Sequence, residues 1–156
     1  MKIQIAKLKD IPRLSGFYQF IRSSPYYSQA AIKEELKRFS VKNLKKQFGN
    51  KDNLYIFLEE GDKIIGARNG YYEAGIFWSD WGVVHPFYRR KGVSRALMTF
   101  LEKKLKKEGI HKMWCDSRTT NKESIAALKS LGFEKITTIK NHWYGQDFIL
   151  WQKLLN

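Results

Sequence analysis

Between Val83 and Leu97 the chain reads Val-Val-His-Pro-Phe-Tyr-Arg-Arg-Lys-Gly-Val-Ser-Arg-Ala-Leu, so that three consecutive cations and one glycine separate an apolar strand end from a segment with helical periodicity. Those residue types at that spacing suit a phosphate group. The first N–H groups of a helix lack intrahelical acceptors and the helix dipole adds positive partial charge, which together favour an anion. Gly92 lets the backbone approach it closely, and Arg89, Arg90 and Lys91 add charge at the rim. The stretch lacks the Lys-Ser/Thr ending of a P-loop and the three glycines of a dinucleotide fingerprint, so the alternative is a plain strand-to-helix turn. Other chemically capable groups are scattered. Asp80 and Asp116 are carboxylates on expected strands, and Arg118 is a ready ion partner for Asp116. Cys115 falls on the opposite strand face from Asp116 with no histidine paired to it, which argues against a nucleophilic role. His85 precedes a proline and reads as a turn residue.

Composition bounds what these groups can serve. A chain of 156 residues with 43% hydrophobic content can bury one core, and it reads as a single domain over residues 1–156. No apolar run is long enough to span a membrane, and Met1–Asp10 alternates lysines with apolar residues without a signal-peptide core, so a cytoplasmic protein is expected. One cysteine excludes an internal disulfide, and no cysteine–histidine cluster has metal spacing. The net charge of +14 attracts polyanions: nucleic acid, a ribosome, an acidic protein or cofactor phosphates. Solvated lysine-rich helix faces are the bland alternative.

The elements that position these residues follow from periodicity and punctuation. Lys2–Lys7 reads as a strand. Asp10 can cap a helix with Pro12 in its first turn and Ile11, Leu14, Phe17, Tyr18 and Ile21 on one face. Helices are expected over Gln29–Phe39 and, capped by Ser40, over Val41–Phe48. Lysines crowd these two helices, and Tyr26, Tyr27, Phe39 and Phe48 interleave with them in a way that could suit nucleic acid. Leu54–Glu59 and Lys63–Arg68 pair across Glu60-Gly61-Asp62, and a further strand runs from Ile76 to Val84 after a turn at Glu73-Ala74-Gly75, preferred over Asn69-Gly70 because it leaves longer matched strands. Ser94–Lys107 is an amphipathic helix closed by Gly109, and Lys112–Arg118 a strand. Thr120-x-x-Glu123 reads as a capping box for a helix ended by Gly132. Phe133–Ile139 and Asp147–Leu154 are two final antiparallel strands. The fold class is α/β (α+β): a mixed, mostly antiparallel central sheet of about seven strands with helices on both faces.

Arg89-x-x-Gly92-x-Ser94, preceded by Val-Val-His-Pro and followed by an amphipathic helix, resembles the acetyl-CoA pyrophosphate loop of the GCN5-related N-acetyltransferase (GNAT) superfamily, with Ser94 where the family has Gly or Ala. Asn121, with Ser124 to Gly132-Phe133, is similar to a second family block, and the likeness covers nearly the whole chain. The resemblance implies a GNAT-like fold and direct transfer of acetyl from acetyl-CoA to a primary amine. Val83 and Val84 would bond the pantetheine arm and supply an oxyanion donor through their backbone. Arg89, Arg90, Lys91, Gly92, Val93, Ser94 and Arg95 would hold the pyrophosphate. Asn121 would bond the pantetheine arm if Thr120 caps the helix and leaves its amide available; if Asn121 itself caps, that role is in question. For the base, Asp116 stands where ribosomal-protein N-terminal acetyltransferases place a glutamate, and Asp80 is second, on the neighbouring strand. The family's usual thiolate-protonating tyrosine is here Leu128, and Tyr144 is the candidate replacement from the acceptor side.

The acceptor pocket is expected from Tyr26–Phe48, from Trp78 and Trp81, and from the loop Asn141–Gly145. A basic, aromatic pocket there would suit an acidic protein terminus or an anionic amine. The oligomeric state, monomer or homodimer, is not encoded visibly. Two other classes compete with the enzyme: an acetyl-CoA-binding domain without catalysis, prompted by Leu128, and a basic nucleic-acid-binding protein on the same scaffold.

Overall fold

In the computed structural model, which describes residues 1–155, strict alternation along Leu54–Leu58 divides the interior in two. Successive side chains of a strand point to opposite faces, so Leu54, Ile56 and Leu58 enter one core while Tyr55 and Phe57 enter the other. Seven strands make one sheet: β1 (Lys2–Ile5), β2 (Asn53–Glu60), β3 (Lys63–Glu73), β4 (Ile76–Val84), β5 (Lys112–Arg118), β6 (Glu134–Ile139) and β7 (Phe148–Leu154). Their order is β1-β2-β3-β4-β5-β7-β6, with β4–β5 parallel and the other pairs antiparallel. This is the mixed, mostly antiparallel sheet expected.

Helices α1 (Ile11–Tyr18), α2 (Gln29–Arg38) and α3 (Val41–Phe48) cover one face, and α4 (Val93–Lys107) and α5 (Lys122–Ser130) the other. The apolar stripe of α4 puts Val93, Leu97, Met98, Leu101 and Leu105 into the first core. Ile11, Leu14, Phe17, Tyr18 and Ile21 enter the second, where the Tyr18 ring stacks on Phe39 at 3.9 Å between centroids. No helix among the described residues is long and apolar enough to cross a membrane.

Two capping expectations are corrected. Asp10 lies inside a 3-10 turn, Leu8–Asp10, and its carboxylate turns back to accept from the Lys7 backbone N–H at 2.9 Å, so it makes no cap bond to α1. Thr120 is not the cap of α5. The helix starts one residue later, and Asn121 Oδ1 accepts from Ser124 N at 3.0 Å. Ser40 caps α3 as read, accepting from Asn43 N at 3.4 Å.

The β3–β4 turn falls at Ala74 and Gly75, whose φ values of 48° and 78° give the left-handed pair that matches the twist of a tight hairpin. Asn69 and Gly70 therefore stay inside β3. Gly70 is needed there because a Cβ would run into the Trp78 carbonyl and the Phe77 ring. Opposite Asn69, β4 carries one residue too many: Gly70 pairs with Ser79 and Arg68 with Gly82, so Asp80 and Trp81 form a bulge. A bulge re-aims side chains, and this one sits at the centre of the sheet.

Gly70→Ala is expected to lower stability by about 1–3 kcal/mol through overpacking. Gly16→Ala, in α1 where an added Cβ meets nothing within 4 Å, should raise it by about 0.5–1 kcal/mol. Urea midpoints of the two variants would show shifts of opposite sign.

Candidate functional site

β4 and β5 pair at three positions only: Ile76 with Lys112, Phe77 with Met113, and Trp78 with Trp114. Beyond them the strands part. From Ser79 to Val84, β4 bonds to β3 on one side, and its edge toward β5 has no strand partner. Val83 pairs with Ala67 and Val84 with Gly66 at the far end of this gap. An extended polar chain laid along β4 would find the backbone donors and acceptors that a strand would otherwise use.

The gap leads to the β4–α4 loop. His85 ends the strand as a turn residue, its Nδ1 accepting from Phe87 N at 3.3 Å. Arg90 (φ 59°) and Gly92 (φ 80°) are both left-handed, and Gly92 begins α4 without any side-chain cap. The first helical bond from this end is Ala96 N to Gly92 O, so the N–H groups of Val93, Ser94 and Arg95 point out of the helix start. Arg89, Arg90, Lys91 and Arg95 are exposed around them. Arg95 also reaches the Ser130 carbonyl at 3.4 Å, which joins the start of α4 to the end of α5. Outward N–H groups, a left-handed glycine and four exposed cations thus meet at the start of α4, a geometry suited to an anion. Asn121 spends its side-chain oxygen on the cap of α5, which leaves only its amide NH2 for a ligand.

Arg68 is a residue that sequence reading passed over. It is 9% exposed, yet no carboxylate lies within ion-pair distance among the described residues. Its Nη1 donates to Ser79 Oγ at 2.9 Å, and its buried Nε has no partner. The guanidinium lies across β4: a Cβ on Gly82 would stand 2.6 Å from Nη2. Burial lowers its pKa from the ordinary guanidinium value. The only signal in the sequence is an arginine in a strand between Gly66 and Gly70.

On the other face the bulge points Asp80 and Trp81 into a cleft of about 200 Å³ shared with Tyr27, Glu35, Arg38, Trp78, Asp116, Trp143 and Tyr144. The segment 26–48, the two β4 tryptophans and the 141–145 loop thus meet in one place. The cleft is not basic. It holds three carboxylates against one guanidinium, because the lysines of α2 and α3 face outward while Glu35 and Arg38 turn in. The interleaved aromatics also turn away from the lysines: Phe39 is fully buried, Phe48 stacks on Tyr55 and Tyr27 packs on Trp81.

Within the cleft the carboxylates differ. Asp80 is tied down by Arg38 and by Asn69 Nδ2 at 3.1 Å. Asp116 has no ion pair among the described residues; it accepts from Trp143 Nε1 at 2.8 Å. Burial pushes its carboxyl up to about 6, with the Trp143 bond pulling back and the charges of Asp80 and Glu35 adding to the rise. Arg118, its expected partner, lies over the Tyr27 ring at 5.0 Å instead. Tyr144 donates to Glu35 at 3.1 Å, and burial with the Glu35 charge lifts its hydroxyl to about 12. Cys115 lies on the opposite face, buried, its thiol pushed up to about 12 by burial. Leu128 is packed in the α4–α5 core. Among the described residues no cluster of His, Cys, Asp and Glu could hold a metal ion.

Residues 16–133 match the family described as the acetyltransferase (GNAT) family, and the chain belongs to that family. Among its relatives, the [ribosomal protein bS18]-alanine N-acetyltransferase of Escherichia coli K12 is 38% identical over 64 residues, which cover 41% of this chain and 43% of that protein. The chain therefore matches less than half the length of that curated relative. The structure of the paia N-acetyltransferase from Thermoplasma acidophilum in complex with coenzyme A superposes with a TM-score of 0.84 at 21% identity, over 99% of both chains. That of the ribosomal-protein-S18-alanine N-acetyltransferase from E. coli gives 0.77 at 21%, over 99% of this chain and 94% of the other. The fold is the GNAT fold.

Because Asp116 has its pKa raised from 3.8 to about 6, its ionisation costs more in the folded than in the unfolded protein. Well below pH 3.8 both states keep the proton and the penalty vanishes. Asp116→Asn is therefore expected to raise the melting temperature at about pH 7.5 and to leave it nearly unchanged at about pH 2.5, which thermal scans at the two pH values would show.

Proposed function

We propose that the protein is an acetyl-CoA-dependent N-acetyltransferase that moves acetyl directly onto the α-amino group of a peptide or protein N-terminus in a ternary complex. The observation that carries the reading is the position of Asp116, two residues past the point where β4 and β5 part, with its carboxylate in an acidic aromatic cleft. The bulge residues Asp80 and Trp81 line the cleft and also belong to the stretch of β4 left open toward β5.

Each group has a task in this reading. The N–H groups of Gly92, Val93, Ser94 and Arg95, with Arg89, Arg90 and Lys91 at the rim, hold the diphosphate. The β4 edge at Val83 and Val84 and the amide of Asn121 hold the pantetheine arm. Glu35, Asp80 and Asp116 draw in an ammonium, and Trp78, Trp81 and Trp143 wall it. Asp80, paired with Arg38, positions the cleft; Asp116 takes the proton that the amine must shed. A carboxylate with a pKa near 6 suits an α-amine of about 7.7–8.0 better than a lysine amine of about 10.4. Tyr144 is committed to Glu35 and serves acceptor binding in place of the acid role expected from sequence. Buried Cys115, on the far face, leaves direct transfer as the route. The outward lysines of α2 and α3 would hold the enzyme against a polyanionic assembly such as a ribosome.

Leu128 favours a second reading, a cofactor-binding domain without turnover. Acetyl-CoA should raise the melting temperature under either reading, and no shift would remove both. Thioester consumption separates them. Dipeptides with free N-termini are expected to be used faster than Nα-blocked lysine peptides, and anionic amines slowest. With the best acceptor, wild-type kcat should rise through about pH 6. Asp116→Asn should lower kcat about 100-fold with little change in the acetyl-CoA KM; equal turnover across the pH range would remove Asp116 as the base.

A further inference from the structure

We propose that Arg68 is a catalytic residue of the transfer, its guanidinium holding the negative charge that develops on the departing CoA sulfur. The inference rests on the acetyltransferase reading and adds to it a leaving-group stabiliser. A cation buried in a sheet without a carboxylate is unfavourable for folding, so a second partner must be looked for. Arg68 lies on the α4–α5 side of the sheet, between Ser79 of β4, which anchors Nη1, and Cys115 of β5, whose thiol feels its charge. Ser79 and Cys115 are the first residues beyond the last β4–β5 pair, so the guanidinium stands where the gap opens. Gly82, exposed and lacking a Cβ, leaves the room that the guanidinium occupies across β4. Its orphaned Nε shows that the protein itself does not use its full donor capacity.

A thiolate with a parent thiol pKa of about 8.5 can leave unaided, and a fixed positive charge at the sulfur speeds its departure. The acceptor nitrogen attacks the thioester carbon, a C–N bond forms, the C–S bond breaks with its electron pair going to sulfur, and the amine proton passes to Asp116. The sulfur is then protonated or electrostatically held. No hydroxyl stands at Leu128, and the other tyrosines packed on that face are turned to carboxylates elsewhere: Tyr72 to Glu108 at 2.8 Å and Tyr88 to Glu60 at 2.6 Å. Arg68 offers a fixed positive charge that cannot be lost near neutral pH, and it stabilises a thiolate without donating a proton.

The test reads the thiol of bound CoA by its thiolate ultraviolet absorption against pH, free of interference from buried Cys115. On the wild type the CoA thiol is expected to titrate below the ordinary thiol value of about 8.5. In Arg68→Met it should move up by a unit or more, a tenfold change, with Arg68→Lys between the two and desulfo-CoA binding equal in all three. The kcat of Arg68→Met should fall about 100-fold with the acetyl-CoA KM within a few-fold. An unchanged bound-thiol titration in Arg68→Met overturns the inference and leaves the acetyltransferase reading standing, whereas failure of CoA to bind the wild type removes both. If Arg68→Met does not fold, Ser79→Ala keeps the charge and removes its anchor; a smaller upward move supports the inference, and no move overturns it.

Discussion

Two parallel strands that pair for three residues and then separate leave unpaired backbone in the middle of a sheet, where it would ordinarily be found only at an edge. The rest of the architecture accommodates that parting. The bulge at Asp80 and Trp81 lies just past the last β4–β5 pair, with Asp80 paired to Arg38 of α2 and Trp81 packed on Phe39. The loop after the open strand leads into α4, whose first N–H groups are likewise without intrahelical acceptors. β7 returns between β5 and β6, which secures the far side of β5 through seven residue pairs and lets its near side stay open.

Charge is sorted by the same architecture. The chain carries +14 overall, yet its cleft is lined by Glu35, Asp80 and Asp116. Helical periodicity explains the sorting: on α2 the residues facing the sheet include Glu35 and Arg38, while Lys33 and Lys37 fall on the solvent side. A basic exterior and an acidic interior can act on different parts of one partner, the first at long range and the second only on a group small enough to enter. The two faces of the sheet differ likewise. The face toward α2 carries carboxylates in its cleft, and the face toward α4 and α5 carries Arg68.

Much of this was legible in the residues. Alternation, glycine punctuation and apolar stripes located nearly every element, including the choice of Ala74-Gly75 over Asn69-Gly70 for the hairpin. The glycine-led start of α4 after Arg89–Lys91 could be read because a helix start and its glycine are local. The caps were less secure, since Asp10 and Thr120 stand one backbone rotation away from a different partner. The character of the cleft was misread because summing charge along Tyr26–Phe48 ignores which face each charge takes.

Local pattern by itself determined the order of elements and the glycine-led start of α4, because both depend on residues within a few positions of one another. Tertiary structure decided everything set by contacts across the sheet: Asp80 held by Arg38, Asp116 without Arg118, and Arg68 buried across Gly82 with no ion pair among the described residues. On pattern alone Val83–Leu97 suits an anion or a plain strand-to-helix turn, and the family resemblance is what favours the anion. What faces that anion is fixed only when β3, β4, β5 and α2 meet, since burial and pairing are properties of the assembled neighbours.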